Sequence, residues 1–170
     1  MLYWEGLKSS MKKSGFLSKI SKEGKLKLVD PSQDVSESYL LKSQNCIKSS
    51  KILLDATLFE NSVSEAYYAM YNSMLSLLFK CGIKCENHSA AIILLNKLFN
   101  LDKLSKIISH AKKERIDKQY YISKEVVDKE SAKSMVSDAE DFALKLRVFS
   151  GKLDEKSILN FREKFNKINR

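Results

Sequence analysis

Residues 65–95 read EAYYAMYNSMLSLLFKCGIKCENHSAAIILL, and the reading of this stretch decides the fold. From Val63 the apolar side chains fall at Val63, Tyr67, Met70, Met74, Leu77, Leu78 and Cys81. That three-or-four spacing puts them on one face of an α-helix. The small residues Ala66, Ala69 and Ser73 lie beside the stripe, where they allow a neighbouring helix close approach, and Tyr67, Tyr68 and Tyr71 spread rings over the first turns. A helix apolar over most of its circumference packs against more than one partner. Gly82 then stands where a left-handed helix end is cheapest, and Asn87 or Ser89 caps a following helix through Ile92, Ile93, Leu95 and Leu98. The unit is helix, tight loop, helix.

Working outward, residues 1–20 suit a short helix presenting Leu2, Trp4, Leu7, Met11 and Phe16, and KEGKLKLVDP reads as an extended or turn segment closed by Pro31. Ser32 or Asp34 caps a helix carrying Tyr39, Leu40, Ile47, Leu53, Leu54 and Leu58, with Asn61-Ser62 as the turn into the central helix. Beyond it, a helix carries Leu101, Leu104, Ile107, Ile108 and Ala111, and its apolar period fades near Tyr121. A loop is expected over Ile122 to Asp128. Ser123, or Asp128 with Ser131, caps the last long helix, whose line is Ala132, Met135, Val136, Ala139, Phe142, Ala143, Leu146 and Phe149 up to Gly151. A further amphipathic helix places Leu153, Ile158, Phe161 and Phe165 on one side.

Composition agrees with an all-α fold. The 170 residues include one proline and five glycines, too few for a fold of many turns, and 44% of them are hydrophobic, enough for one real core. The expected organisation is an N-terminal extension over 1–31, a helical bundle over 32–150 and a C-terminal helix over 151–170. The net charge of +9 suits an acidic partner or a phosphate backbone. Residues 1–34, 35–150 and 151–170 each contribute +3, so the basic excess is densest in the terminal segments. A lysine-rich solvated surface is the plainer reading of such a spread. Cys46, Cys81 and Cys85 form no even disulfide framework, which points to a reducing cytoplasm. No run reaches the roughly 18 apolar residues of a membrane span, so no membrane partner is expected.

The run Ala66-Tyr67-Tyr68-Ala69-Met70-Tyr71, followed by Leu75, Leu78, Gly82-Ile83 and His88-Ser89, resembles the HEPN domain superfamily, in particular its small, mostly archaeal and bacterial UPF0332 branch. Gly24-Lys25-Leu26-Lys27, the helix from near Gln33, Arg115…Tyr120 and the closing helix through Ala139 and Phe142 extend the resemblance over most of residues 20–148. It implies an antiparallel bundle of four to five core helices, a homodimer, and association with a separate minimal nucleotidyltransferase in a toxin–antitoxin-like system. The nucleotidyltransferase signature itself, a Gly-Ser followed by paired aspartates, is missing here.

Active members of the family are metal-independent ribonucleases with an Arg-x4-6-His motif. A guanidinium stabilises the phosphorane transition state while an imidazole moves the proton of the attacking 2′-hydroxyl. Here Arg115 is followed by Ile116-Asp117-Lys118-Gln119-Tyr120-Tyr121, with a tyrosine where the histidine belongs. A phenol of pKa about 10 is a donor at neutral pH and a poor base. Arg115 and Tyr120 are therefore doubtful as catalytic residues. The resemblance makes Arg115, Asp117, Tyr120, Tyr121, His88 and His110 candidates for nucleotide or RNA binding, with no cofactor. The plainer reading is a hydrogen-bonded cluster of Arg115, Asp117 and Tyr120 at a helix end or dimer seam. Cys81-x3-Cys85-x2-His88 offers soft ligands to zinc, but the spacing is unusual and Cys81 lies on the core stripe, so no metal site is assigned. A homodimeric nucleotide- or RNA-binding module leads, ahead of a ribonuclease with a variant site in which Arg115 holds phosphate and Tyr120, His110 or His88 moves protons. A structural helical scaffold is the third reading.

Overall fold

The computed structural model describes residues 15–120 and 127–168, with the side chains of 117–120 also outside the description. Among these, helices are α1 (15–22), α2 (Gln33–Asp55), α3 (Phe59–Lys80), α4 (His88–Lys97), α5 (Asp102–Tyr120), α6 (Lys129–Gly151) and α7 (Glu155–Ile168). Two short strands, β1 (Leu26–Leu28) and β2 (Ile83–Cys85), pair antiparallel with Leu26 opposite Cys85 and Leu28 opposite Ile83. The chain is an all-α bundle with one small two-stranded antiparallel sheet whose strands are separated in sequence by α2 and α3.

Helix α3 is the axis, in contact with α2, α4, α5, α6 and β2. Its whole expected stripe is buried, with Tyr67, Met70, Met74, Leu78 and Cys81 fully so. On the α2 side the fully enclosed residues are serines, Ser36, Ser43 and Ser50, seven apart on one helix face. Ser43 Oγ donates to Ala69 O at 2.8 Å and meets Ser73 Oγ at 2.7 Å, and Ser36 Oγ meets Ser76 Oγ at 3.0 Å. Small side chains let the two backbones approach, and each buried hydroxyl is satisfied, which avoids a desolvation cost of about 1–3 kcal/mol apiece.

The turn expected at Asn61-Ser62 lies earlier. Helix α2 ends at Asp55, Ala56–Leu58 make the turn with Thr57 at φ 61°, and α3 already runs from Phe59. Ser62 is instead buried inside α3, its Oγ donating to Ser50 O at 2.7 Å, so a residue with turn character serves helix packing. Of the proposed caps, Ser32, Asn87 and Asp128 accept from the backbones of Val35, Ala90 and Ser131. Ser123 lies outside the described residues, as do Leu2, Trp4, Leu7 and Met11 of the expected N-terminal helix. The described part of that segment buries Leu17 and Ile20.

Gly82 ends α3 with φ 67°. Arg162 of α7 reaches over it, Nη1 donating to Val29 O at 2.7 Å, Gly82 O at 3.0 Å and Cys81 O at 3.2 Å. Phe161 packs its ring 4.8 Å from Phe99, and Lys164 Nζ donates to Leu98 O at 2.9 Å. Helix α7 thereby locks the loop between α3 and α4 and fixes where α4 begins. Gly82→Ala would combine a left-handed backbone with a Cβ overlapping the Arg162 guanidinium and lying 2.5 Å from Val29 O. A loss of about 2–4 kcal/mol in unfolding free energy is expected by urea denaturation, and a change within about 0.5 kcal/mol would contradict this packing.

Candidate functional site

The locked loop delivers His88 to the side of α3 that carries the tyrosines. Asn87 caps α4 through Oδ1 to Ala90 N at 2.9 Å, so His88 is the first residue of the helix and its ring lies back over α3. Tyr71 stacks on that ring with centroids 3.7 Å apart and planes 13° from parallel. Tyr67 Oη lies 2.5 Å from His88 Nδ1. The imidazole is thus held on one face by π contact and on one edge by a hydrogen bond.

Helix α5 supplies the charge. Arg115 Cζ lies 5.3 Å from the Tyr67 ring centroid and 5.0 Å from that of Tyr68, within cation–π range of both. One turn earlier, Lys112 Nζ donates to Ser89 Oγ at 2.6 Å. Three elements therefore place three tyrosines, a histidine, a serine and two cations in one half-buried cluster.

The electrostatics follow from that crowding. Burial is the main force lowering the His88 pKa below 6.5, and the Arg115 and Lys112 charges push the same way. Burial also lowers Lys112, helped by Arg115. Burial pushes the Tyr67 phenol up to about 12 against the pull of Arg115, and raises Tyr71. At neutral pH the site presents two cations, neutral phenols and a neutral imidazole.

Of the residues expected from sequence, Arg115 and His88 are brought together through Tyr67. His110 is not brought to them. Its side chain is 72% exposed, with Nε2 3.8 Å from Glu114 Oε1, and it borders a different recess that also holds Glu130 and Asp138 of α6. Asp117 and Tyr120 lie in the last turn of α5, and their side chains, with all of Tyr121, are outside the described residues. Sequence reasoning missed Lys112 and the hydroxyl role of Tyr67, and took Ser89 only as a cap. Lys112 carried a usable signal, since it precedes Arg115 by three on one helix and so shares its face. Cys81 and Cys85 point elsewhere: Cys81 is fully buried with its thiol pushed up to about 12, and Cys85 Sγ donates to Asn87 O at 3.3 Å. Among the described residues no three His, Cys, Asp or Glu side chains are grouped to hold a metal, and no helix is long and apolar enough to cross a membrane.

The family model for the HEPN domain matches residues 36–148, which include all of α3, α4 and α5 and hence the whole cluster. The chain belongs to the HEPN domain family. A comparison with curated proteins found no match. In this HEPN domain α1, β1 and α7 lie outside the matched range yet bury Leu17, Leu26 and Phe165 on the bundle.

Because the folded-state pKa of His88 is depressed, the unfolded chain binds the extra proton as pH falls below about 6.5. The His88 contribution is intact above that pH and is lost on acidification toward the folded-state value, with a slope of at most about 1.4 kcal/mol per pH unit. The facing groups are Tyr67 and Tyr71 of α3, Ser89 of α4, and Lys112 and Arg115 of α5. The slope between pH 5 and 7 should be shallower in His88→Gln than in wild type, and equal slopes would contradict the desolvated imidazole.

Proposed function

We propose that this HEPN protein binds RNA or its nucleotide units at the Tyr68–His88–Lys112–Arg115 cluster. The observation that carries this is the convergence of two cations from one face of α5 on an aromatic and imidazole surface. Arg115 and Lys112 match a phosphate, Arg115 by a fork of donors and Lys112 as a point charge. Tyr68, half-buried beneath the guanidinium, gives an exposed base a ring to stack on. The first turn of α4 carries no acidic side chain to repel a phosphate there. The recess beside His110 has the opposite character, since Glu114, Glu130 and Asp138 line it.

The fuller reading is a homodimer of the UPF0332-like branch that works beside a separate minimal nucleotidyltransferase in a toxin–antitoxin-like pair. The terminal segments add loose basic attraction. Exposed Leu41 and Ile52 on α2 and Leu144 and Val148 on α6 are apolar side chains that an interface between copies would cover. A particle mass near twice 19.5 kDa by light scattering supports this part, and a monomer at high concentration would remove it.

A second reading is favoured by one observation, the spatial approach of His88 to Arg115. In it the cluster is a metal-independent ribonuclease centre, with His88 replacing the histidine that Tyr120 displaces in the motif. Cleavage of a mixed RNA pool with chelator present, lost in both Arg115→Ala and His88→Ala, would establish it, and intact RNA at high protein concentration would exclude it.

For the binding reading, fluorescence anisotropy with a labelled single-stranded RNA should show affinity falling about tenfold or more in Arg115→Ala and in Lys112→Ala. Each should also flatten the salt dependence by roughly 0.7 in log–log slope. Lys48→Ala, exposed on α2, should change affinity less than about twofold. Equal small losses in all three variants would mean diffuse attraction to a basic surface.

A further inference from the structure

Tyr67 is the one member of the cluster whose ring is fully enclosed, against the Arg115 guanidinium of α5, while its hydroxyl meets His88 of α4. Its oxygen lies 2.5 Å from His88 Nδ1, and the Arg115 guanidinium sits against its ring. A phenol O–H is a stronger donor than a neutral imidazole N–H, and an imidazole lone-pair nitrogen is a stronger acceptor than a phenol oxygen, so Tyr67 donates this bond. The receiving Nδ1 must then be the lone-pair nitrogen, and in a neutral ring the proton resides on Nε2. Stacking on Tyr71 at 3.7 Å prevents the ring from turning to exchange its edges. Nε2 has no hydrogen-bond partner among the described residues, and the ring is only half-buried.

We propose that Tyr67 is a positioning residue that fixes His88 as the Nε2–H tautomer, so the site offers its ligand a neutral imidazole donor for an acceptor oxygen. The inference rests on the binding reading for the presence of a ligand, but the tautomer is a property of the protein alone. It also separates the two functional readings. A general base must present an unprotonated nitrogen to the 2′-hydroxyl, and Tyr67 occupies the only one. The Tyr67–His88 pair therefore builds a reader of RNA oxygens in place of a proton acceptor. The oxygen belongs to a phosphate or to a base carbonyl, and the two sources are separable.

The test is a long-range 1H–15N spectrum of the uniformly labelled full chain at pH 7, with His88 assigned by its absence in His88→Gln. The expected pattern is an unprotonated Nδ1 and a protonated Nε2. A protonated Nδ1, or an imidazolium, would overturn the proposal. Tyr67→Phe should convert the pattern toward a mixture of tautomers while the remaining amide spectrum stays folded. If that variant fails to fold, Arg115→Gln replaces it, and retention of the Nε2–H form there is expected because the phenol is still present. Under RNA saturation, set by anisotropy, the Nε2 resonance should move. Inorganic phosphate moving it as well identifies a phosphate oxygen, and movement with RNA alone identifies a base oxygen. An Nε2 resonance unmoved by RNA that is bound would overturn the donor role, whereas RNA that does not bind at all removes the binding reading and leaves the tautomer decided by the free spectrum.

Discussion

Every element of this bundle depends on α3 being enclosed from several sides at once. Enclosure on that scale needs two different kinds of surface on one helix. Toward α2, Ala69 and Ser73 are small enough for Ser43 to bond directly to the α3 backbone and hydroxyl. Toward α4 and α5, Tyr67 and Tyr71 are long enough to fill the larger gap and still end in polar atoms. A buried phenol must find a partner, and that partner is His88, with the Arg115 guanidinium against the ring. The need to satisfy a core hydroxyl and the assembly of the site are the same requirement.

The placement of α4 shows how distant segments serve that requirement. Its first residue must sit over Tyr71, and the loop preceding it is held by Gly82, β1 and Arg162 of α7. Segments flanking the family-matched region thus govern the geometry of a site within it. A weakening of the α7 clamp would be felt at His88 before it reached the centre of the bundle.

Much of the fold was legible because burial on α3 and α6 repeats at helical spacing over many turns. Val63 to Cys81 and Ala132 to Leu146 form lines that composition cannot imitate. Leu26–Leu28 falls in the segment read as extended or turn, but Ile83–Cys85 and its pairing with that segment were not legible, since three residues are too short to show a period. The turn before α3 was misplaced because Asn61 and Ser62 have turn chemistry, while the buried Ser50 carbonyl gives Ser62 a helical use. The site was half legible. Arg115 was singled out through a family motif and His88 through the wider resemblance, but their meeting depends on Tyr67, which periodicity assigned to the core. Both assignments hold, since the Tyr67 ring is core and its hydroxyl is site. A linear pattern cannot separate the two ends of one side chain.

In the proposed reading, ligand recognition is concentrated where α3, α4 and α5 meet, and not spread over a lysine-rich surface. The most direct measurement is chemical-shift mapping on the labelled full chain, titrated with a short single-stranded RNA at physiological salt. The largest changes are expected on Tyr67, Tyr68, His88, Ser89, Lys112 and Arg115, with the termini and the exposed faces of α2 and α6 changing little. Changes led by the terminal lysines, with the Tyr67 to Arg115 cluster silent, would contradict it.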